Sequence, residues 1–180
     1  MRDTAYKKEK RELTAYEKKM LIFFLKCIAS EFSKIFIFSI VFSILGLSHE
    51  FWAALFFMML YRTSSGGLHC KTYLSCLSLS FLILLSGILL GIYIHINLAF
   101  KIPMTLAMAA VGYFLSPVQA PTRPPLEDRL VLRAKRRTFI SIMVFLVLLC
   151  ITPTSRYNNI GFWLLVLHDV QLIIAYQIRR

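Results

Sequence analysis

Apolar residues in this chain gather into long blocks separated by short polar breaks, a pattern matched to the thickness of a bilayer rather than to one face of a soluble helix. Residues 1–19 mix acids with bases and are helix-prone, and Met20-Leu21-Ile22-Phe23-Phe24-Leu25 follows directly. Residues 1–30 are therefore expected to form an amphipathic helix entering or lying on the inner leaflet. Two apolar blocks come next, 35–47 and 51–61, split by Ser48-His49-Glu50. Each is shorter than the roughly twenty residues of a straight crossing, so they read as two short spans or a re-entrant pair. Residues 77–100 are long enough to cross. Lys101 and Pro103 mark the turn beyond them, and 104–115 lead back. Residues 139–151 and 160–178 form a last hairpin around a turn at 152–159. The expected fold class is all-α: one polytopic integral-membrane domain over 1–180, with six membrane segments.

Composition agrees with the pattern. The 180 residues are 58% hydrophobic and 17% charged, with a mean hydropathy of +0.67, too apolar for one soluble core. The net charge of +12 would suggest nucleic acid in a soluble domain. Here no basic run is interleaved with aromatics, and positive-inside loops and anionic lipid account for the charge, so no nucleic-acid partner is expected. Basic residues fall at the N-terminus, in the loop 119–138 and at Arg179-Arg180. All three belong on one side if the segments number six, or four plus a re-entrant pair, which puts both termini and residues 62–76 in the cytoplasm. The first twenty residues do not resemble a signal peptide, so the N-terminus is expected to be retained. Cys27, Cys70, Cys76 and Cys150 do not form the framework of a small secreted domain.

One polar island is left over, Arg62 to Cys76, with a glycine pair, a histidine and two cysteines between long apolar stretches. Polar, glycine-broken backbone at membrane depth usually lines a site, because groups freed from a helix need partners there. A cysteine with a histidine supplies a nucleophile and its base. The seven-residue gap from His69 to Cys76 is restrictive. On one continuous helix the two would share a face but stand about 10.5 Å apart along the axis. A direct contact thus requires a bend, or Cys76 of a second subunit. Gly66-Gly67 supplies a flexible loop, and Thr72 as N-cap would put Cys76 in the first turns of the following helix, where the dipole favours a thiolate. Cys70 adjoins His69 and is a weaker alternative nucleophile. His69, Cys70 and Cys76 match no usual zinc spacing, so no metal or other cofactor is expected. Backbone amides of 66–69 or of the Cys76 turn are candidate oxyanion donors. A broken-helix site at 62–76 would also suit a small transporter or lipid-binding membrane protein, and a non-catalytic scaffold is a third reading.

The arrangement Arg62-x-x-x-Gly66-Gly67-x-His69-x-x-x-x-x-x-Cys76 resembles the signature of the accessory gene regulator B family, membrane cysteine endopeptidases of Gram-positive bacteria that process quorum-sensing propeptides. Ser116-Pro117-Val118, Pro121, Arg123-Pro124-Pro125 and the basic stretch after them are similar to the family's second cytoplasmic segment. The resemblance implies Cys76 as nucleophile and His69 as general base and acid, with Gly66, Gly67 and Arg62 shaping the site. It implies a propeptide substrate with an amphipathic leader and an acidic C-terminal tail, cleavage through an acyl-enzyme thioester, closure of a thiolactone or lactone ring, and a homodimer in the bacterial cell membrane. Lys71, Arg123, Arg129 and Arg133, on the basic face, are the expected counterparts of the acidic tail.

Overall fold

The computed structural model describes residues 15–67, 72–118 and 127–178. Among them are six helices: α1 (Ala15–Ile44), α2 (Ser48–Ser65), α3 (Tyr73–Tyr93), α4 (Leu98–Leu115), α5 (Asp128–Ile151) and α6 (Arg156–Ile178). The only extended pairing among the described residues is an isolated parallel bridge between Gly66 and Val118. The fold is all-helical. Three helices, α3, α4 and α6, are long and apolar enough to cross a membrane by length and composition. Large apolar side chains on their outer surfaces, such as Leu82, Phe100 and Phe114, are exposed, as expected where lipid replaces water.

The chain divides at Phe38 into two units. The first holds the N-terminal part of α1, where Lys34 pairs with Glu31 at 2.7 Å and the Ser33 hydroxyl donates to the Ser30 carbonyl at 2.9 Å. Leu21, Leu25, Phe32 and Phe36 on this part are exposed and recur at spacings of four, seven and four, so they share one face. From Ala15 onward the charged N-terminal segment and the first apolar block are one helix. Nothing between them, neither glycine nor proline, interrupts the helical hydrogen bonding.

The second unit, from Ser39, is organised around α6. This helix packs against α2, α3 and α4, while α5 lies against α4 and α2. Twelve of its residues are buried, from Asn158 to Ala175. Its aromatic surroundings interlock: Phe57 and Tyr61 of α2 both meet the Phe145 ring of α5 edge-on, at 5.3 and 5.7 Å. Phe42 stacks on Phe51 at 5.1 Å. Such pairs contribute about 0.5–1.5 kcal/mol beyond the area they bury. Helices α3 and α6 approach closely at Gly91 of α3, where a Cβ would come within 2.6 Å of the Ile160 backbone. Gly87, one turn earlier, admits the Leu164 side chain in the same way. Small residues at this spacing let two helix backbones touch.

Two boundaries differ from the sequence expectation. The turn after the third apolar block lies at 94–97, not at Lys101 and Pro103. Asn97 caps α4 by accepting from the Ala99 amide at 3.2 Å, so the helix starts before Lys101. Lys101 is buried and Pro103 lies inside α4. The last turn likewise ends at Ser155, and Asn158 and Asn159 belong to α6. These two asparagines are helical because they serve the neighbouring helix ends. Asn158 Nδ2 donates to the Leu148 and Thr152 carbonyls of the α5 terminus, and Asn159 Nδ2 to the Gly91 and Ile94 carbonyls of the α3 terminus. The last carbonyls of a helix have no partner within it, and side-chain amides supply one.

Replacing Gly91 with Leu forces α3 off α6 against backbone, at a cost of roughly 1–3 kcal/mol or more from overpacking. The expected result is a clear fall in the thermal unfolding temperature of the detergent-solubilised protein, whereas Leu82→Ala on the exposed face of α3 leaves it nearly unchanged.

Candidate functional site

The polar island begins where α2 ends. Gly66 has φ +77° and ψ −148°, a region essentially closed to residues with a Cβ. Its amide donates to the Arg62 carbonyl at 3.1 Å, and the chain then leaves the helix. A second constraint also demands glycine here: a Cβ would collide with the carbonyl oxygen of Val118. That contact is the parallel bridge, sealed by the Val118 amide donating to the Ser65 carbonyl at 2.9 Å. The first polar segment is thus joined to Ser116-Pro117-Val118 by backbone. Gly67 is buried beside Arg62, whose Nε would stand 3.4 Å from a Cβ placed there. The Arg62 guanidinium therefore lies against Gly67.

The island ends where α3 begins. Thr72 is extended (φ −114°, ψ 152°), and its hydroxyl oxygen accepts from the Ser75 amide at 3.3 Å, the geometry of an N-cap. The Ser75 hydroxyl donates to the Thr72 carbonyl at 3.0 Å, tightening the turn. Cys76 follows in this first turn, half-buried, with its amide donating to the Thr72 carbonyl at 3.2 Å. Because the chain is non-helical at Gly66, Gly67 and Thr72, α2 and α3 are not one helix through the island. The expected break between the glycine pair and Cys76 is present. The amides of Gly66, Ser75 and Cys76 are committed to these bonds, which removes them from the candidate oxyanion donors. His69, Cys70 and Lys71 lie outside the described residues, and so does Arg123.

Of the other basic candidates, Arg129 and Arg133 sit exposed on the first turns of α5, together with Arg136 and Arg137. What the pattern suggested as a basic loop over 119–138 is helical from Asp128. Lys135 points back over the Tyr113 ring of α4, 5.9 Å from its centre.

The structure brings one further residue to this end of the bundle, His168, which the sequence does not single out. His168 of α6 is buried, and its Nε2 lies 2.6 Å from the Ser65 hydroxyl, in the last residue of α2. That hydroxyl also lies 2.6 Å from the Tyr61 carbonyl as donor, which leaves Nε2 as the protonated partner donating to Ser65. The imidazole stacks at 6.5 Å on Tyr61, whose hydroxyl donates to the Gly161 carbonyl at 3.3 Å. Val118, at the far side of the bridge, packs with Leu172 and Ala175 of α6. Asp169 and Ser116 are buried in the same unit, and neither side chain has a hydrogen-bond partner among the described residues. A single histidine in an apolar helix gave no periodic signal; the pairing Ser65–His168 spans 103 positions and arises only on folding.

The arrangement is that of a helical membrane-associated protein. A polar segment between two of its helices opens on a strained glycine and closes on a capped helix carrying a cysteine in its first turn. A family model for accessory gene regulator B matches residues 3–174, nearly the whole chain, and the protein belongs to that family. Membership implies a part in processing quorum-sensing propeptides, and hence an enzyme acting on a peptide. Comparisons with curated proteins and with solved structures give no match.

Two substitutions probe how the island is held. Gly66→Val breaks the bridge to Val118, so amide hydrogen exchange at 64–67 and 116–118 should rise by at least tenfold while far-ultraviolet circular dichroism stays helical. His168→Leu leaves the Ser65 hydroxyl without its buried donor, a loss of roughly 1–3 kcal/mol; thermal unfolding should reveal it, and His168→Gln should recover part of it.

Proposed function

We propose that this protein is a membrane-embedded cysteine endopeptidase that releases the acidic C-terminal tail of a quorum-sensing propeptide and lets the remaining core close into a ring. Cys76 Sγ attacks the carbonyl joining core to tail while His69 takes the thiol proton. The C–N bond breaks, His69 returns the proton to the departing amine, and the core remains as a thioester on Cys76. A thiol or hydroxyl within the core then attacks that thioester carbonyl. Cys76 leaves as the thiolate and is reprotonated, and the product is a thiolactone or lactone. Exchange of one thioester for another is nearly balanced in free energy, so exclusion of water from the acyl-enzyme decides between cyclisation and hydrolysis.

The observation that carries this reading is the position of Cys76 in the first turn of α3, just past the Thr72 cap. Backbone N–H groups at a helix N-terminus favour negative charge that develops nearby. Family membership supplies the substrate class, and the non-helical backbone at Gly66, Gly67 and Thr72 leaves room for His69 to reach Cys76 without a continuous helix between them. Arg62, beside the glycine pair, shapes the loop. Lys71, Arg123, Arg129 and Arg133 attract the acidic tail from the cytoplasmic side, with the substrate's amphipathic leader lying along the membrane.

Co-expression with a propeptide having an amphipathic leader and an acidic tail, read by mass spectrometry, tests the proposal. Cys76→Ala and His69→Ala should each reduce tail release below about one-thousandth of wild type, and Cys70→Ala should leave it intact. Continued cleavage by Cys76→Ala would overturn the assignment. Charge reversal at Arg129 and Arg133 should raise KM several-fold with kcat little changed, an effect that fades as ionic strength rises.

A further inference from the structure

At the end of the bundle opposite Gly66, the turns 94–97 and 152–155 enclose a cavity of about 430 Å³. Lys101 lines it, only 3% exposed, and no carboxylate of the described residues lies within ion-pair distance of its ammonium. Its one recorded partner is the Phe162 ring, 5.9 Å away. A buried cation without a counter-ion is costly, and a bound anion beside it would offset that cost. Asn159 lines the same cavity. Its Nδ2 is spent on the α3 terminus, and its Oδ1 is buried with no donor among the described residues. Ser155, also in the lining, stands at the start of α6, whose dipole favours negative charge, whereas the Ala99, Phe100 and Lys101 amides of α4 are taken up by Asn97. Glu50 is not the counter-ion of Lys101, because it pairs with Arg156 at 3.1 Å.

The cavity thus offers a cation, one helix N-terminus and one orphan acceptor. Its volume exceeds that of a bare inorganic anion, and Ile96 and Leu98 add an apolar wall. We propose that it binds a phosphate ester bearing a hydroxylated substituent, the headgroup chemistry of phosphatidylglycerol: Lys101 pairs with the phosphate, and a headgroup hydroxyl donates to Asn159 Oδ1. The site lies where the apolar helices α3, α4 and α6 have their ends, the depth at which phospholipid headgroups sit. A soluble glycerol phosphate would satisfy the same groups.

Native mass spectrometry separates the sources. The full chain is reconstituted in nanodiscs of equal phosphatidylglycerol and phosphatidylcholine, then extracted in neutral detergent at about 0.5 M salt, where lipid held by exposed basic residues is screened off. The expected result is one retained phosphatidylglycerol per chain, lost in Lys101→Met with at least about a tenfold fall in affinity and kept in Lys101→Arg. In a second arm, soluble glycerol phosphate is added to delipidated protein and thermal unfolding is followed. A rise in wild type but not in Lys101→Met, without any preference between the lipids, assigns the site to a soluble phosphate ester. Equal retention of both lipids together with no glycerol phosphate effect in wild type overturns the proposal, and this comparison holds even if Lys101→Met does not fold. Retention by Lys101→Met equal to wild type overturns it as well.

Discussion

Burying more than half of the residues of one helix sets the terms for everything around it. Helix α6 is surrounded by α2, α3 and α4, and its polar side chains face inward as well as its apolar ones. A helix in that position cannot leave polar groups to water, so each needs a partner on a neighbouring element. Asn158 and Asn159 find theirs in the carbonyls that end α5 and α3. His168 finds its partner in Ser65. The neighbours must in turn come close, which α3 does by presenting Gly87 and Gly91.

The consequence for the polar island is that its framework is tertiary. Ser65 is held from below by His168, and its carbonyl is held from the side by the Val118 amide. Gly66 can turn away from α2 at that point only because it has no Cβ to strike Val118. The exit of α2, the segment after α4 and the end of α6 therefore form one junction. On the other side of the island the control is local: Thr72 caps α3 through its own hydroxyl, four residues before Cys76. The two sides of the island have different mechanical origins, one long-range and stiff, the other a short-range cap.

Much of this was legible in one dimension. The helical character follows from the apolar blocks, because a bilayer-scale block of Leu, Ile and Phe has few alternatives to a helix. The N-terminal segment expected as a helix of its own, however, runs on into the first block as α1. The Thr72 cap, the glycine break and the location of Cys76 just inside α3 follow from residue types at fixed short spacing. Where the sequence misled, polar residues were read as solvent-facing turns. Lys101 and Asn159 look like loop residues by composition, yet one is buried in the first turns of α4 and the other in the first turns of α6. Hydropathy counts a polar side chain against a helix and has no access to the carbonyl, ring or cavity that awaits it across the bundle.

By itself, then, the sequence determined the family, the helical character and the local start of α3, since each depends on residue type and on neighbours within a turn or two of chain. The tertiary structure alone decided that Ser65 meets His168, that Gly66 meets Val118, and that Lys101 and Asn159 face one cavity. These contacts join positions dozens of residues apart. Their existence depends on how closely helix backbones approach and on which buried groups lack partners, quantities that exist only once the chain is packed.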